Sequence, residues 1–247
     1  HAFPDFETDA VREATALFNN YPPNAGAPEL LSAMSDWVQS RYGVTVDPAT
    51  QILALNGTRE GLFAACLALC PDRKSGATPL VAMPNPFYQV YAVGAQAAGA
   101  EPLFVNATRE TGFLPDFSTL SSAHLDRIAI AYVCSPSNPQ GAVADVAYWE
   151  ALITLAERHN FYVFADECYC EVYRDAPPPG ALEVATRMGA DPERVMIFHS
   201  LSKRSNLPGL RCGFAAGGPR AIAEMKKLRS YAGAPLAGPL QSAAIQV

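Results

Sequence analysis

Short, unbroken apolar runs alternate along this chain with longer segments of helical period, and that alternation restricts the fold more than any single residue does. QILAL precedes TREGLFAACLAL, PLVAM precedes PFYQVYAVGAQAAG, and RIAIAYVC precedes ADVAYWEALITLAERHN. EPLFV, FYVFAD, RVMIFHS and LRCGFAAG are further short runs, and PRAIAEMKKLRSYA is another helical stretch. The short runs are bounded by Gly, Pro, Asn or Asp and rarely alternate polar with apolar residues. That pattern suits strands covered on both faces rather than strands with a wet side. It predicts an α/β fold, a three-layer αβα sandwich around a mostly parallel central sheet. RDAPPPGA, residues 174–181, is too short to divide domains and reads as a surface loop.

Composition narrows the function classes. The chain has 247 residues, 49% hydrophobic and 17% charged, enough to bury a substantial core. A net charge of −6 argues against nucleic acid as a partner, because phosphate backbones want a basic face. No apolar run reaches membrane-spanning length and no signal-peptide pattern opens the chain, so no membrane is expected. Cys66, Cys70, Cys134, Cys168, Cys170 and Cys212 form no C-x-x-C pair and the histidines lack ligand spacing, so no metal site is expected. Buried thiols in a reducing cytoplasm account for them best. His1 is not a methionine, and GPLQSAAIQV stops inside an apolar, helix-like run, so both ends are expected to be cuts.

In parallel α/β sheets ligands sit beyond the carboxyl ends of strands. After QILAL comes Asn56–Glu60, a turn opening a helix, where backbone N–H groups and a positive helix end suit a phosphate. Taken alone, an ordinary N-cap at Thr58 explains it better. After RIAIAYVC comes SPSNPQG, where Asn138 either points an amide into a cleft or helps Pro139 make a plain turn. After FYVFAD, Asp166 ends a very apolar strand, costly for a carboxylate unless it meets a cation or caps a helix. Tyr169 lies on the same side if a helical turn starts there. After RVMIFHS, Lys203 follows Ser200 and Ser202 and precedes Arg211. A desolvated lysine is a nucleophile toward carbonyls, and hydroxyls with a guanidinium fork suit a phosphate. A carbonyl-seeking lysine, a phosphate cradle and a buried aspartate converge on pyridoxal 5′-phosphate (PLP).

The ordered segments NYPPNAGAPEL, NGTREGLF, NPFYQVY, SPSNPQG, DECYCE and SLSKRSNLPGLRCGF resemble the fold-type I, PLP-dependent aminotransferases of class I/II. Through NGTRE, DECY and SLSKRSNLPG the resemblance is nearest to the N-succinyldiaminopimelate aminotransferases of bacterial lysine synthesis. It implies Lys203 as the Schiff-base lysine, Asp166 as partner of the pyridinium, and Tyr169 and Asn138 as donors to the ring's 3-oxygen. It implies Ser200 and Arg211 on the phosphate, assisted by Ser202 and the Gly57–Thr58–Arg59 turn. Tyr88 is implied to stack on the ring, with Phe87 as the neighbouring alternative. Tyr21 is implied to reach the cofactor phosphate of a partner subunit, in a homodimer with shared sites.

The same resemblance implies amino-group transfer between an amino acid and a 2-oxo acid, N-succinyl-LL-2,6-diaminopimelate with 2-oxoglutarate. The alternatives are aminotransferases of aspartate, methionine or kynurenine type, a PLP-dependent C–S lyase, or a non-catalytic regulator built on the same fold. A Rossmann-type nucleotide binder fits poorly, since no G-x-G-x-x-G follows the first strand. Residues 1–18 are expected to lead into a PLP-binding large domain over 19–247. The family's C-terminal small domain, which carries the arginine that clamps the substrate carboxylate, is expected to be absent from this chain.

Overall fold

A computed structural model describes residues 5–247; residues 1–4, part of the expected leading segment, lie outside the described residues. Helix α1 (Asp5–Glu13) and a 3₁₀ turn (Thr15–Asn19) lead to α2 (Pro28–Tyr42). Strand β1 (Ile52–Leu55) is followed by α3 (Thr58–Leu69), β2 (Leu80–Asn85), α4 (Gln89–Ala97) and β3 (Glu101–Asn106). Next come α5 (Ser122–Arg127), β4 (Ile128–Cys134), α6 (Val146–His159), β5 (Tyr162–Asp166) and α7 (Ala181–Met188). The chain continues through β6 (Val195–Ser200), α8 (Leu201–Arg204), β7 (Gly213–Gly217), α9 (Pro219–Ala232) and α10 (Gly238–Ile245).

The seven strands make one sheet in the order β1-β7-β6-β5-β4-β2-β3. β7 pairs antiparallel with both β1 and β6, and every other pairing is parallel. The expected three layers are present. One face of the sheet packs on α2, α6 and α7 through Met34, Val38, Trp149, Ile153 and Val184. The other packs on α3, α4 and α9 through Leu62, Cys66, Tyr91, Ile222 and Met225. All residues of β1, β4, β6 and β7 are buried, which is why those runs read as continuously apolar. α1 packs on α10.

Local chemistry sets the element ends. Asp145 accepts the Tyr148 N–H at 2.8 Å to start α6, and Asn160 closes it with φ 56°. Pro28 and Pro219 open α2 and α9, where a missing N–H costs nothing. No helix among the described residues is long and apolar enough to cross a membrane.

Candidate active site

Five strands, β1, β2, β4, β5 and β6, point their carboxyl ends toward one cavity of about 350 Å³. The first turn of α3 contributes Thr58 and Arg59, and the start of α4 contributes Phe87, Tyr88 and Tyr91. Asn138 comes from the loop after β4, and Asp166, Cys168 and Tyr169 from the end of β5. Ser200, Ser202, Lys203 and Arg211 close the cavity from β6, α8 and the approach to β7. The sites read one by one behind separate apolar runs thus come together in space. Tyr21 does not join them: it is 98% exposed.

Asp166 is 5% exposed, as an aspartate ending an all-apolar strand must be. Its Oδ2 accepts from the Tyr91 hydroxyl at 2.7 Å and its Oδ1 from the Cys168 N–H at 3.4 Å. Burial pushes its pKa above the ordinary value, while the Tyr91 and Cys168 hydrogen bonds and the His199 charge pull the other way. It is no helix cap. Cys168 to Glu171 form a turn rather than a helix, yet that turn still brings Tyr169 into the cavity. Burial raises the Tyr169 phenol, keeping it a neutral donor, and Asn138 Nδ2 reaches its oxygen at 3.5 Å. The Lys203 ammonium stands 5.8 Å from the Tyr169 ring centre.

The donor-rich wall is built from two helix starts. Gly57, not Thr58, is the N-cap of α3, with φ 85° and ψ 162°. That corrects the Thr58 cap considered from sequence: Thr58 is the first helical residue, and its hydroxyl meets Cys168 Sγ at 3.0 Å instead. A side chain at position 57 would need a left-handed backbone and would collide with the Arg211 guanidinium. Arg211 donates to Asn56 O at 3.0 Å and Pro208 O at 2.9 Å. Ser200 caps α8, accepting the Ser202 N–H at 3.1 Å and donating to the Ser202 hydroxyl at 2.9 Å.

The aromatic wall is also sorted. Tyr88 meets Tyr91 edge-on at 5.8 Å and accepts from Arg59 Nε at 2.5 Å. Phe87 is engaged with Phe104 at 5.0 Å. Tyr91, with its ring stacked 4.3 Å from Tyr132, was missed from sequence; its signal is the spacing from Tyr88, three residues earlier at the start of a helix. Cys168 was missed too, two residues beyond Asp166.

These residues fit PLP. A buried carboxylate that meets only neutral donors within the cavity suits a protonated ring nitrogen. Gly57 leaves room for a guanidinium beside free helix-start amides, which suits a phosphate. A second cavity of about 180 Å³ lies on the other face of the sheet, among Met34, Trp37, His199 and Arg204, and no lysine lines it.

Residues 2–247 match the family model described as aminotransferase class I and II, whose members use PLP. The chain is 37% identical over 213 residues to an LL-diaminopimelate aminotransferase of Dehalococcoides mccartyi, covering 86% of this chain and 53% of that one. It is 33% identical over 246 residues to an LL-diaminopimelate aminotransferase of Nitratidesulfovibrio vulgaris, covering 98% of this chain and 61% of the relative. Among solved structures, an aminotransferase of Neisseria meningitidis superposes with TM-score 0.93 at 37% identity, over 99% of this chain and 62% of that one. A probable N-succinyldiaminopimelate aminotransferase of Thermus thermophilus superposes with TM-score 0.87 at 26% identity, over 98% and 64% respectively. The chain therefore spans only about half to three-fifths of the length of the relatives it matches. With the family model matched along almost all of its residues, the chain belongs to the class I and II aminotransferases.

Proposed function

We propose that this chain carries the PLP site of an aminotransferase that moves an amino group between an amino acid of diaminopimelate type and a 2-oxo acid. The observation that carries the reading is the meeting of Asp166, Tyr169, Asn138, Lys203, Ser200 and Arg211 in one cavity. When bound, PLP supplies an aldehyde that captures amines and a ring that takes up the electron pair released at the substrate α-carbon. Asp166 would hold the ring nitrogen protonated, and that cation would give its buried carboxylate the charged partner it lacks. Arg211, Ser200, Ser202, Thr58 and the N–H of Gly57 bind the phosphate, with Arg59 beside them. Tyr169 and Asn138 donate to the ring's 3-oxygen, and Tyr88 packs against the ring face. Lys203 Nζ holds the cofactor and then moves the proton at the substrate α-carbon. Two copies form a homodimer in which Tyr21 reaches the partner's phosphate; its exposure leaves it available for that contact.

The amino donor of the first reading is N-succinyl-LL-2,6-diaminopimelate, with 2-oxoglutarate as acceptor. A second reading, unblocked LL-diaminopimelate, is favoured by relatives of that name at 33 and 37% identity, against 26% for the probable N-succinyl enzyme. The test is to add PLP to the purified protein and follow its visible absorbance while each donor is supplied with 2-oxoglutarate. Glutamate formed from one diaminopimelate form supports the reading. Absence of a PLP band, or release of a thiol from a sulfur amino acid without glutamate, overturns it.

A further inference from the structure

The turn before α3 is held from outside the cavity. Asn56, at its start, is tied at three polar groups. Its N–H donates to Glu60 Oε2 at 2.6 Å, its carbonyl accepts from Arg211 at 3.0 Å, and its Nδ2 donates to Ala234 O at 2.7 Å. The other Glu60 oxygen lies 3.3 Å from Arg229 Nη2. Arg229, on α9, is 5% exposed and also donates to the carbonyls of Asn24 and, on β1, Ala54. One buried guanidinium therefore joins α9, the strand before the turn and the carboxylate that holds the turn. Neither Glu60 nor Arg229 lines the cavity.

The pair is only partly buried, with the Arg229 side chain 4% and the Glu60 side chain 30% exposed, and the cost of desolvating the guanidinium offsets much of what the pair adds to stability. What it supplies is geometry. Among the described residues, no acceptor is hydrogen-bonded to the backbone N–H of Gly57, Thr58 or Arg59, so these amides stay free for an anion. Their aim depends on where Asn56 sits, and Asn56 sits where Glu60 and Arg211 hold it.

We propose that Glu60 and Arg229 are positioning residues that aim the Asn56–Gly57–Thr58 turn at the cofactor phosphate, so that the site's preference for a phosphorylated ring depends on an ion pair outside it. The inference rests on the PLP reading above. Loss of Glu60 leaves Asp166, Tyr169 and Lys203 untouched, so contacts to the ring survive while those to the phosphate weaken. A merely structural role would weaken both together.

The experiment compares PLP with pyridoxal, which lacks the phosphate. Dissociation constants of both are measured by absorbance titration on the whole chain as wild type, Glu60→Ala and Glu60→Gln, with thermal unfolding of each cofactor-free protein. Wild type is expected to prefer PLP. Glu60→Ala is expected to lose at least about tenfold in PLP affinity while pyridoxal changes less than about twofold. Glu60→Gln keeps an acceptor for the Asn56 N–H but not the charge facing Arg229, so the PLP-to-pyridoxal ratio should fall about threefold. It also carries the test should the alanine variant fail to fold. A ratio equal to wild type in Glu60→Gln, or equal losses for both ligands in Glu60→Ala, overturns the inference alone. A wild-type protein that binds PLP no better than pyridoxal overturns the cofactor reading and the inference with it.

Discussion

Asp166 combines 5% exposure with neutral hydrogen-bond donors, the Tyr91 hydroxyl and the Cys168 amide, and so is held as a costly anion before any cofactor arrives. Its folded pKa is raised above the ordinary 3.8, so the folded state keeps a proton that the unfolded chain has already lost. Stability of the cofactor-free protein should therefore decline as pH rises from that ordinary value through the folded one. Asp166→Asn keeps an acceptor for Tyr91 and removes the charge. Its cofactor-free melting temperature should match or exceed wild type, while amino transfer falls by about tenfold to a hundredfold or more. Near-normal transfer in this variant would remove Asp166 from the ring nitrogen. Gly57→Ala is the complementary change. Its left-handed backbone and the clash with Arg211 should cost about 1–2 kcal/mol in chemical denaturation and weaken PLP binding. The importance of Asp166 was legible because a lone carboxylate at the end of an apolar run needs a reason. Glu60 and Arg229 were not, because nothing local in either helix says that a charge from α9 enters the core.

Between strand and helix, the informative feature is how β5 and β6 use both faces. Asp166 faces the cavity, while its neighbour Glu167 and, on β6, His199 face the opposite layer, and Ser200 borders both. Glu167 accepts from the Tyr42 hydroxyl at 2.6 Å and the Ala181 N–H at 2.8 Å, and lies 3.1 Å from His199 Nε2. His199 also meets Cys170 Sγ at 3.5 Å and stacks on Phe214 at 5.1 Å. Burial lowers the imidazole pKa, but the Cys170 and Glu167 contacts outweigh it and push it up to about 9 from 6.5. A histidine raised on folding stabilises fully below its unfolded pKa, and that contribution is lost as pH rises through about 9. Thermal unfolding between pH 7 and 10 should show wild type losing stability that His199→Gln lacks from the start. Parallel pH curves for the two proteins would contradict a charged His199. At this scale β1, β4 and β7 were readable because burial on both faces leaves no charged residue to blur them. The reversed direction of β7 was not, since a short apolar run such as GFAAG carries no signal of strand direction. α7 also escaped notice, being short and following a proline-rich loop.

The molecule gathers its site by topology. Residues from β1 to the approach of β7 converge only because parallel strands put their carboxyl ends on one side of the sheet. The order of short runs and helical segments foretold this, so the large-domain fold and most of the cavity could be read in advance. The contact implied for Tyr21 with a second copy has its test in solution. If it reaches a partner's phosphate, Tyr21→Phe should raise the PLP dissociation constant by about threefold to tenfold in the dimer, and dilution to monomer should abolish the difference. An equal effect in monomer and dimer would place Tyr21 outside the shared site. Everything proposed for this site turns on Lys203 as the amine that holds the cofactor. Borohydride reduction of the PLP-loaded protein, followed by peptide mapping, tests it most directly. A pyridoxyl group is expected on Lys203 and should disappear in Lys203→Ala; label on another lysine, or none at all, would contradict that role.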